Sequence, residues 1–590
     1  MSKPKGSLCL VLHGHLPYVL NHGTWPHGEV WLFEAAVETY LPLLDLMDEV
    51  VCHGVPPNIT IGLTPVLLEQ LSHPRFVAGF KAYLHEQSGR AVTDARDFDR
   101  ANDDHSAMLA RRWERFYRRG LEHFHRLNEN IPAEFARLAR AGQIQILTSH
   151  ATHAYTPLLL DDRSIAAQLK AGVHTTRKHL NLTPTGVWLP ECAYRPASPY
   201  WTPPVLGLPG RARQGTEQFL TDLGLDHFFV DTHMLHGAVA LGSVDASGAY
   251  TPVDASGSSG MPRGLVDAFG PVGVVSRSVA PNVYAFVRHP RVSEPVWSGV
   301  VGYPGHGAYL EFHRKRGPQG LRYWRVTDNQ SDLHVKQPYI PEDAAALARA
   351  HAEHFCMVVE QTLEEHHRAT GRAGVVVAAF DAELFGHWWA EGVSFLRDVM
   401  LTFHEDNGGV TMLTTARALE QRTGAVEPCA SPKESFTRPM DSSTRPNESS
   451  TRVLRLPDGS WGERGDHRVW LNDQTQWMWE VEYRAETRWL DVLEHARWRD
   501  DPTLQTMLKR AARELLLLQA SDWPFVVHSR GAVDYGMQRF ALHATRFDRA
   551  MQVVTDHQAG RKPTPLQQVQ MDEIDGHDSI FTDLSLDWWT

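Results

Sequence analysis

The sequence has few cysteines, no excess of basic residues and no long hydrophobic run, and each absence argues against a class of protein. The 590 residues include only five cysteines, which are scattered and form no CxxC pair: Cys9, Cys52, Cys192, Cys356 and Cys429. Such a set argues against a disulfide framework or a zinc ribbon and favours a reducing compartment. No apolar stretch approaches the roughly 18 residues that span a bilayer. We therefore expect a cytoplasmic protein with no membrane partner.

Acidic residues outnumber basic ones, 70 to 58, which gives a formal net charge of −12. This is the wrong sign for a protein that binds nucleic acid, so a neutral ligand is the better expectation. The chain also contains 18 tryptophans and 33 histidines. Tryptophan fills a core or stacks on flat surfaces, and an enzyme that binds sugar rings would use several. Nothing in the sequence distinguishes a monomer from a dimer.

The first two-thirds of the chain alternates short apolar runs with helical patterns, which is typical of βα units. The candidate strands are Ser7–Leu12, Asn58–Leu63, Gln143–Thr148, Thr185–Leu189, His227–Asp231, Val283–Arg288, Gly374–Phe380 and Val410–Thr414. Two long segments, Trp31–Val50 and Glu342–Thr370, carry apolar residues at helical spacing. We predict an α/β fold with a barrel of seven or eight strands, assigned as a (β/α)7-type barrel, and chemistry at the strand C-terminal ends.

Composition also suggests how the chain is divided. Polar, helical residues without a strand interrupt the barrel pattern, a stretch rich in Pro, Ser, Thr and Asn follows it, and a helical region and a polar tail end the chain. The predicted segments are 1–93 and 141–425 for the catalytic barrel, 94–140 for an inserted helical subdomain, 426–452 for a linker, 453–560 for a C-terminal helical domain and 561–590 for a loosely ordered tail.

Four apolar strands end abruptly in polar or ionisable residues. They lie in residues 8–17, 146–159, 186–194 and 375–389. In a barrel these ends converge on one cavity. Glu191 and Asp381 follow two of the strands, and glycoside chemistry needs two such carboxyl groups, one at the anomeric carbon and one that protonates the departing oxygen. The spacing alone leaves open that each carboxylate only caps a helix or pairs with an arginine.

Several segments carry a closer resemblance. They are LHGHLPYV, WPHGE, ILTSHATHAYTPLL, GVWLPECAYRP, AAFDAELFGHWWAEGV, GSWGERGDHRVWLN and LLLLQASDWPF. Together they resemble the motifs of glycoside hydrolase family 57 and, within it, those of its 1,4-α-glucan branching enzymes. The resemblance extends over about residues 8–540, and WLPECAYRP and DAELFGHWW are highly specific strings.

The resemblance implies a retaining enzyme that needs no cofactor. Glu191 is then the nucleophile and Asp381 the general acid/base, with carboxyl groups roughly 5–5.5 Å apart and a covalent glycosyl-enzyme intermediate. The expected substrate is α-1,4-glucan such as amylose or glycogen, whose cleaved chain is transferred to a 6-hydroxyl to form an α-1,6 branch. Glu383 is expected to be a hydrogen-bonding neighbour, and His387 and Trp388 to support Asp381.

Three histidines are candidate contacts to the sugar. His13 and His15 project on the same side of a strand, and His153 follows another apolar run. Imidazole also suits zinc and iron, but the resembled enzymes need no metal, so we predict hydrogen bonds to sugar hydroxyls. A metal-dependent, deacetylase-like barrel that uses His13, His15 and Asp381 is the alternative from another chemical class.

The resemblance places the remaining substrate contacts on tryptophans and on a few other residues. An indole presents its face to the C–H side of a glucose ring. The matching positions are Trp25, Trp297, Trp461, Trp470, Arg288, Gly305 and Asp522. Trp461 and Asp522 lie beyond the predicted linker, so we expect the C-terminal helical domain to help close the site.

Branching and hydrolysis share the same two carboxylates and differ in acceptor positioning and water exclusion. The resembled branching enzymes carry a tyrosine on a loop after a VDTH-like strand. Here that loop is a long stretch rich in Gly and Ser, which we expect to be a functional loop or disordered. Tyr250 is its candidate, as the only tyrosine between Gly237 and Gly270. An α-amylase or 4-α-glucanotransferase of the same family is therefore the alternative function.

Overall fold

The computed structural model describes residues 5–245, 249–252, 268–276, 279–298, 301–317, 320–328, 330–405, 409–423 and 451–590. Strands and helices alternate through most of the described chain. The strands are β1 (Gly6–Gly14), β2 (Ile59–Leu63), β3 (Ile144–Leu147), β4 (Ser198–Trp201), β5 (Arg211–Arg213), β6 (His227–Asp231), β7 (Val239–Val244), β8 (Tyr250–Pro252), β9 (Val272–Val274), β10 (Tyr284–Arg288), β11 (Gly374–Asp381), β12 (Val410–Met412) and β13 (Thr451–Arg455).

The helices cover the outside of the strands and form most of the C-terminal part. They are α1 (Glu29–Ala35), α2 (Leu41–Cys52), α3 (Pro65–Leu71), α4 (Pro74–Arg100), α5 (Asp104–Arg126), α6 (Ile131–Arg140), α7 (Asp162–Leu180), α8 (Thr216–Asp222), α9 (His233–His236), α10 (Pro290–Trp297), α11 (Pro341–Thr370), α12 (Gly392–Glu405), α13 (Thr415–Thr423), α14 (Gln476–His495), α15 (Pro502–Leu518), α16 (Asp522–His528), α17 (Val533–Gln558) and α18 (Pro565–His577). A π-helical turn, Ala36–Tyr40, joins α1 to α2.

Seven parallel segments close into a barrel. β1 pairs with β2 and β11, β2 with β3, and β10 with β6 and β11. Bridges from Thr148 to Val187 and from Gly186 to His227 insert residues 186–187 between β3 and β6. The ring follows chain order and confirms the predicted (β/α)7-type barrel. Its strands read as continuous apolar runs because both of their faces are buried.

The fourth position of the barrel is shorter than predicted. We predicted a strand over Thr185–Leu189, but only Gly186 and Val187 make bridges to the neighbouring strands. The chain leaves the barrel at Pro190, which has no N–H to donate. A 3-10 turn, Pro190–Cys192, follows immediately.

A second group of strands extends the sheet beyond the barrel. β10 also pairs with β9. Beyond β9 the sheet continues with β13, β7 and β8, in that order. β13 was predicted to lie in the linker and at the start of the C-terminal helical domain, but it pairs in parallel with β9 and in antiparallel with β7. That boundary prediction is wrong, because Val453 and Leu454 supply buried side chains to this sheet. Most of the predicted linker, residues 424–450, lies outside the described residues.

The inserted helices begin earlier than predicted. The boundary at residue 94 is wrong, since it falls inside α4, which runs without a break from Pro74 to Arg100 and packs along α5. Aromatic side chains such as Phe80 and Phe124 hold the pair together, with ring centroids 5.0 Å apart. Composition alone does not reveal this apolar face, because the outer face of α4 carries charged residues that make the helix polar on average.

The tail is ordered, so the prediction of a loosely ordered segment over residues 561–590 is wrong. α18 begins with a capping box between Thr564 and Gln567, an arrangement that satisfies free N–H groups at a helix start. Met571, Phe581 and Trp589 are buried, and the final turn packs against α7 and α15. These apolar residues are spread among polar ones, which is why composition did not reveal them. No helix in the described part of the chain combines the length and apolar character needed to cross a bilayer.

Candidate active site

Glu191 lies in the turn that leaves the fourth barrel position. Its backbone is left-handed, with φ 61° and ψ 23°, a conformation that is uncommon for residues other than glycine and often marks a functional position. The backbone N–H of Trp461 donates to the Glu191 carbonyl at 3.0 Å. The segment before the C-terminal helices therefore holds this turn in place.

The buried carboxylate of Glu191 receives two further hydrogen bonds from the C-terminal third of the chain. The indole Nε1 of Trp461 donates to Oε2 at 2.7 Å, and the hydroxyl of Ser521 donates to Oε1 at 3.2 Å. Burial raises the pKa of Glu191 to about 7, although these donors act in the opposite direction. The donors favour the charged form, which is the form that acts as a nucleophile.

Asp381 is the last residue of β11 and lies beside His13 of β1 in the parallel pairing. Burial raises the pKa of Asp381 well above its usual value, and the charges of Glu383 and Glu191 raise it further, while Arg288 lowers it. Glu191 therefore contributes to the electrostatic environment of Asp381, and the predicted separation of the two carboxyl groups stays a prediction. A raised pKa favours the protonated carboxyl group that a general acid needs.

Arg288, at the end of β10, is fixed by a residue that the sequence reading missed. Its Nη2 donates to Oδ2 of Asp231 at 2.5 Å, and its guanidinium lies 5.5 Å from the ring centroid of Trp461. Asp231 ends the neighbouring strand β6. The same signal that marked Asp381, an acidic residue directly after an apolar strand, could have identified it.

The three predicted histidines lie together. The rings of His15 and His153 stack with centroids 3.9 Å apart, and Nε2 of His13 lies 3.1 Å from Nε2 of His153. His13 also stacks on Trp188 at 4.7 Å. Burial lowers the pKa of both His13 and His153 well below the usual value, and the charge of His15 adds to this effect. The geometry therefore favours neutral rings for His13 and His153.

His15 has the opposite electrostatic environment. Burial by itself would lower its pKa, but the carboxylates of Asp522, Glu383 and Glu191 together raise it. Its Nε2 lies 3.0 Å from Oδ1 of Asp522, and its Nδ1 lies 3.1 Å from the hydroxyl of Thr64. The structure thus favours a protonated His15 paired with an aspartate from α16.

Glu383 is occupied by neighbours other than Asp381. Its Oε1 accepts a hydrogen bond from the backbone N–H of His15 at 3.0 Å and another from the hydroxyl of Tyr40. Burial raises its pKa, and these donors counteract the rise. This arrangement fits the hydrogen-bonding neighbour that the sequence predicted for this position.

The residues that could hold a metal ion in the structure differ from those that the metal-dependent alternative predicted. Within the described residues, the side chains at this site that could hold an ion are those of His15, His153 and Asp522, whose ligand atoms all lie within 4.8 Å of one another. The deacetylase-like alternative instead names His13 and Asp381. A metal ligand must be a neutral imidazole, and Asp522, whose charge raises the pKa of His15, is itself one of the three candidate ligands.

The predicted tryptophans fall into two groups. Trp297 and Trp461 lie with ring centroids 5.8 Å apart, and Trp25 and Trp297 are 45% and 39% exposed, so both offer a face to a ligand. Trp470 is only 1% exposed and stacks on Tyr155 at 4.2 Å. Little of Trp470 is therefore accessible, and its predicted contact with the sugar stays a prediction.

Tyr250 and Gly305 are not joined to the carboxylates by the contacts described for them. The hydroxyl of Tyr250 donates to the carbonyl of Leu241 at 2.9 Å, across the hairpin of β7 and β8. Residues 246–248 and 253–267 on either side lie outside the described residues. Gly305 ends a short 3-10 turn that begins at Tyr303. The predicted substrate contacts of both residues stay predictions.

The loop that follows Asp381 is held through a buried ion pair. Nδ1 of His387 lies 2.7 Å from Oε2 of Glu38, and Oε1 of Glu38 accepts a hydrogen bond from Arg322. Trp388 is 44% exposed. The described contacts of His387 are therefore with Glu38, Arg322 and Phe312, and the predicted support of Asp381 by His387 and Trp388 stays a prediction.

Comparison with known proteins identifies the family. The model described as glycosyl hydrolase family 57 matches residues 9–256, and the model described as 1,4-alpha-glucan branching enzyme, C-terminal, matches residues 482–589. The chain is 35% identical over 545 residues to a 1,4-alpha-glucan branching enzyme of Thermococcus kodakarensis, covering 92% of this chain and 73% of the relative. The chain belongs to glycosyl hydrolase family 57.

Solved structures of this family agree with the fold. A GH57-type branching enzyme from Pyrococcus horikoshii is similar with a TM-score of 0.84 at 31% identity, covering 99% of this chain and 97% of the other. The alpha-amylase AmyC from Thermotoga maritima is similar with a TM-score of 0.77 at 26% identity, covering 99% of each chain. Apart from the start of α14, the described C-terminal helices of this family 57 member lie in the region matched by the branching-enzyme model, as does nearly all of the tail.

Proposed function

We propose that this family 57 enzyme is a 1,4-α-glucan branching enzyme that works with retention of configuration. It cleaves an α-1,4 linkage and transfers the released chain to a 6-hydroxyl of another glucan segment. The observation that carries the proposal is the origin of the contacts to Glu191 and His15. Ser521 and Asp522, which supply them, lie in the region matched by the branching-enzyme C-terminal model.

In this proposal Glu191 attacks the anomeric carbon and Asp381 protonates the departing oxygen. The covalent glycosyl-enzyme is then resolved by the acceptor hydroxyl, whose proton passes to Asp381. The raised pKa of Asp381 supports its acid role. Hydrogen bonds from Trp461 and Ser521 support the charged form of Glu191 against the effect of burial.

The histidines and tryptophans are proposed to bind the sugar beside the scissile bond. His13, His15 and His153 form one stacked group near Glu191, and imidazole N–H groups suit sugar hydroxyls. Trp297 and Trp461 would provide flat faces for glucose rings, with Arg288 beside them. Trp25 is proposed to contact the glucan through its exposed indole.

The experiment that tests this function compares two products. The purified full chain is incubated with amylose, and the products are analysed for new reducing ends directly and for new chains after debranching. A branching enzyme yields new α-1,6-linked chains in large excess over free reducing ends. The Glu191→Gln variant, which keeps the size of the side chain, serves as the matched control for contaminating activity.

One observation favours a second candidate function, an α-amylase. A family member named alpha-amylase matches 99% of this chain with a TM-score of 0.77. Water resolves the intermediate where no acceptor is held in place. A product mixture dominated by new reducing ends, with few new branch points, would contradict the branching proposal and support the amylase.

A further inference from the structure

A cavity lies between the barrel and the inserted helices. It has a volume of about 240 Å³ and is bounded by α1 and the π-helical turn on one side and by α4 and α5 on the other. Neither Glu191 nor Asp381 lines it. Pockets for drug-sized ligands have volumes of roughly 300–1,000 Å³, so this smaller cavity suits a single sugar ring or a molecule of similar size.

Neutral polar side chains of α4 and α5 line this cavity. Gln87 is only 8% exposed, and within the described residues its amide makes no hydrogen bond. Tyr83 and Tyr117 add two hydroxyl groups, on rings whose centroids lie 6.3 Å apart. Burial raises the pKa of both tyrosines, so both hydroxyls keep their protons. The cavity therefore offers an amide and two hydroxyls, each of which can both donate and accept hydrogen bonds.

The charged residues of the cavity do not attract an ion. Every acidic side chain that lines it is paired with a basic one. The pairs are Glu29 with Arg75, Glu34 with Lys315, Glu38 with Arg322 and Glu86 with Arg90. Because each negative charge is matched, the ligand that fits best is neutral.

Two tryptophans complete the walls of the cavity. Trp25 is 45% exposed and lies at its entrance from solvent. Trp113 is held in place, since its Nε1 donates to the carbonyl of Arg322 at 2.7 Å and its ring stacks on Tyr117 with centroids 5.8 Å apart. Indole rings combined with a few neutral polar groups are typical of sites that bind sugars.

We propose that this cavity binds one glucosyl unit at the end of an α-glucan chain. The amide of Gln87 and the hydroxyl of Tyr117 hydrogen-bond the sugar hydroxyls, and Trp25 contacts the chain where it enters. A buried amide is costly without partners, and the sugar supplies them. The inference rests on the proposed action on α-glucan, but not on whether the cleaved chain is branched or hydrolysed.

The cavity shares a wall with the catalytic site. Glu38 lines it and also binds His387 in the loop after Asp381, at 2.7 Å. Tyr40, two residues further along the same π-helical turn, donates to Glu383. A glucan chain held in the cavity therefore lies beside the residues that surround Asp381, and the inserted helices help to bind the polymer.

The first experiment locates the sugar. Crystals of the full-length Glu191→Gln protein, which does not turn over its ligand, are soaked with maltotriose. We expect electron density for a glucosyl ring in the cavity, with hydroxyl groups within hydrogen-bonding distance of Gln87 and Tyr117.

The second experiment measures binding of glycogen, which presents many chain ends, in the same Glu191→Gln background. Electrophoresis in native gels that contain increasing glycogen concentrations gives an apparent Kd. Gln87→Met and Tyr117→Phe each remove a hydrogen-bonding group with little change in size and should raise this Kd roughly 3- to 10-fold. Gln568→Met is the matched control, since Gln568 is exposed on α18, and it should leave the Kd unchanged.

The outcomes separate the inference from the proposed function. Sugar density confined to the catalytic cleft, together with unchanged glycogen binding by Gln87→Met and Tyr117→Phe, would overturn the inference and leave the proposed function intact. Absence of any glycogen or maltotriose binding would overturn both. If a variant fails to fold, the position of the sugar in the Glu191→Gln crystal decides.

Discussion

Two clusters of histidine and carboxylate side chains lie where the N-terminal part of the chain meets the C-terminal helices, and they differ in access and in charge. The open cluster is His15, His153 and Asp522, and the closed cluster is Glu514, His543 and Asp578. In each, the ligand atoms lie within 4.8 Å of one another. The open cluster is partly exposed, whereas every member of the closed cluster is buried.

The closed cluster contacts arginines, whereas no arginine contact is described for the open cluster. Oδ1 of Asp578 lies 2.6 Å from Nε2 of His22, and Oδ2 is paired with Arg546. His543 binds Glu514 at 2.8 Å through Nδ1 and Arg539 at 2.9 Å through Nε2. Every ring nitrogen of His543 is therefore committed to another protein side chain.

Electrostatics explains why similar residues behave differently in the two places. Burial opposes ionisation of Asp578, but the hydrogen bond from His22 and the charge of His543 hold its pKa well below the usual range. Burial and the charge of Asp578 raise the pKa of Glu514. The closed cluster is a buried structural network that contains the ion pair between Asp578 and Arg546, and the open cluster keeps groups available for a substrate. Arginines and access, rather than residue types, make the difference.

The largest expected effect on kcat comes from substitution of Glu191, the carboxylate beside the open cluster. Glu191→Gln removes the nucleophile and should lower kcat for transfer by roughly 10³-fold or more, while glucan binding stays close to wild type. The amylose assay and a glucan-binding measurement check both statements. Turnover comparable to wild type would rule out the assigned role of Glu191.

The second prediction compares one aspartate from each cluster. Asp522→Asn removes the charge that raises the pKa of His15 and should lower activity roughly 10- to 100-fold through misplacement of the site, with little change in stability. Asp578→Asn leaves Arg546 without its charged partner and should cost about 3–5 kcal/mol of stability at neutral pH, with kcat of the folded protein unchanged.

Urea unfolding and kcat measured on the same preparations check this pair of predictions. The folded pKa of Asp578 is depressed, so its contribution to stability is present above the unfolded pKa and disappears as pH falls. The two variants should therefore become similar in stability at low pH. Equal losses of stability at neutral pH would mean that the two clusters have the same role.

A smaller effect is expected from Trp461→Phe, which removes the indole N–H that donates to Glu191 and keeps an aromatic ring. The pKa of Glu191, already raised to about 7, should rise further because its charged form loses a donor. Since the nucleophile must be charged, the acid limb of the kcat/KM profile should move to higher pH. Trp479→Phe, at a buried indole that donates to the Trp470 carbonyl instead, is the control and should leave the limb in place.

The last prediction concerns chelation, for which we expect no effect on activity. Exhaustive chelation should leave activity unchanged, because the open cluster is proposed to bind sugar through a protonated His15. Metal analysis of the purified protein is measured alongside. Loss of activity on chelation that is restored by one added metal would move the open cluster to the metal-dependent class.

The sequence was sufficient for the barrel and for the residues at its strand ends. Apolar runs that stop at His13, Glu191 and Asp381 predicted their convergence, because barrel geometry brings all such ends to one face. Ser521 could not be predicted in this way, since its contact with Glu191 depends on how a distant helix docks. The burial of Trp470 could not be predicted either, because the sequence does not distinguish an indole in a sugar groove from one in a core.

The errors in the domain boundaries have a related cause. Boundaries were read from composition, and α4 and the tail are polar on average although one side of each is apolar. β13 has only five residues after a long polar stretch, too few for periodicity to reveal a strand. Its place depends on pairing with β9 and β7, which lie far away in the chain.

The contact between His22 and Asp578 joins residues 556 positions apart in sequence. During synthesis, His22 therefore lacks this partner until the segment that carries Asp578 has left the ribosome. Contacts of such long range slow folding, and incompletely folded chains expose surfaces that aggregate. Production of this enzyme should consequently depend on chaperone capacity and temperature more than its stability after folding would suggest.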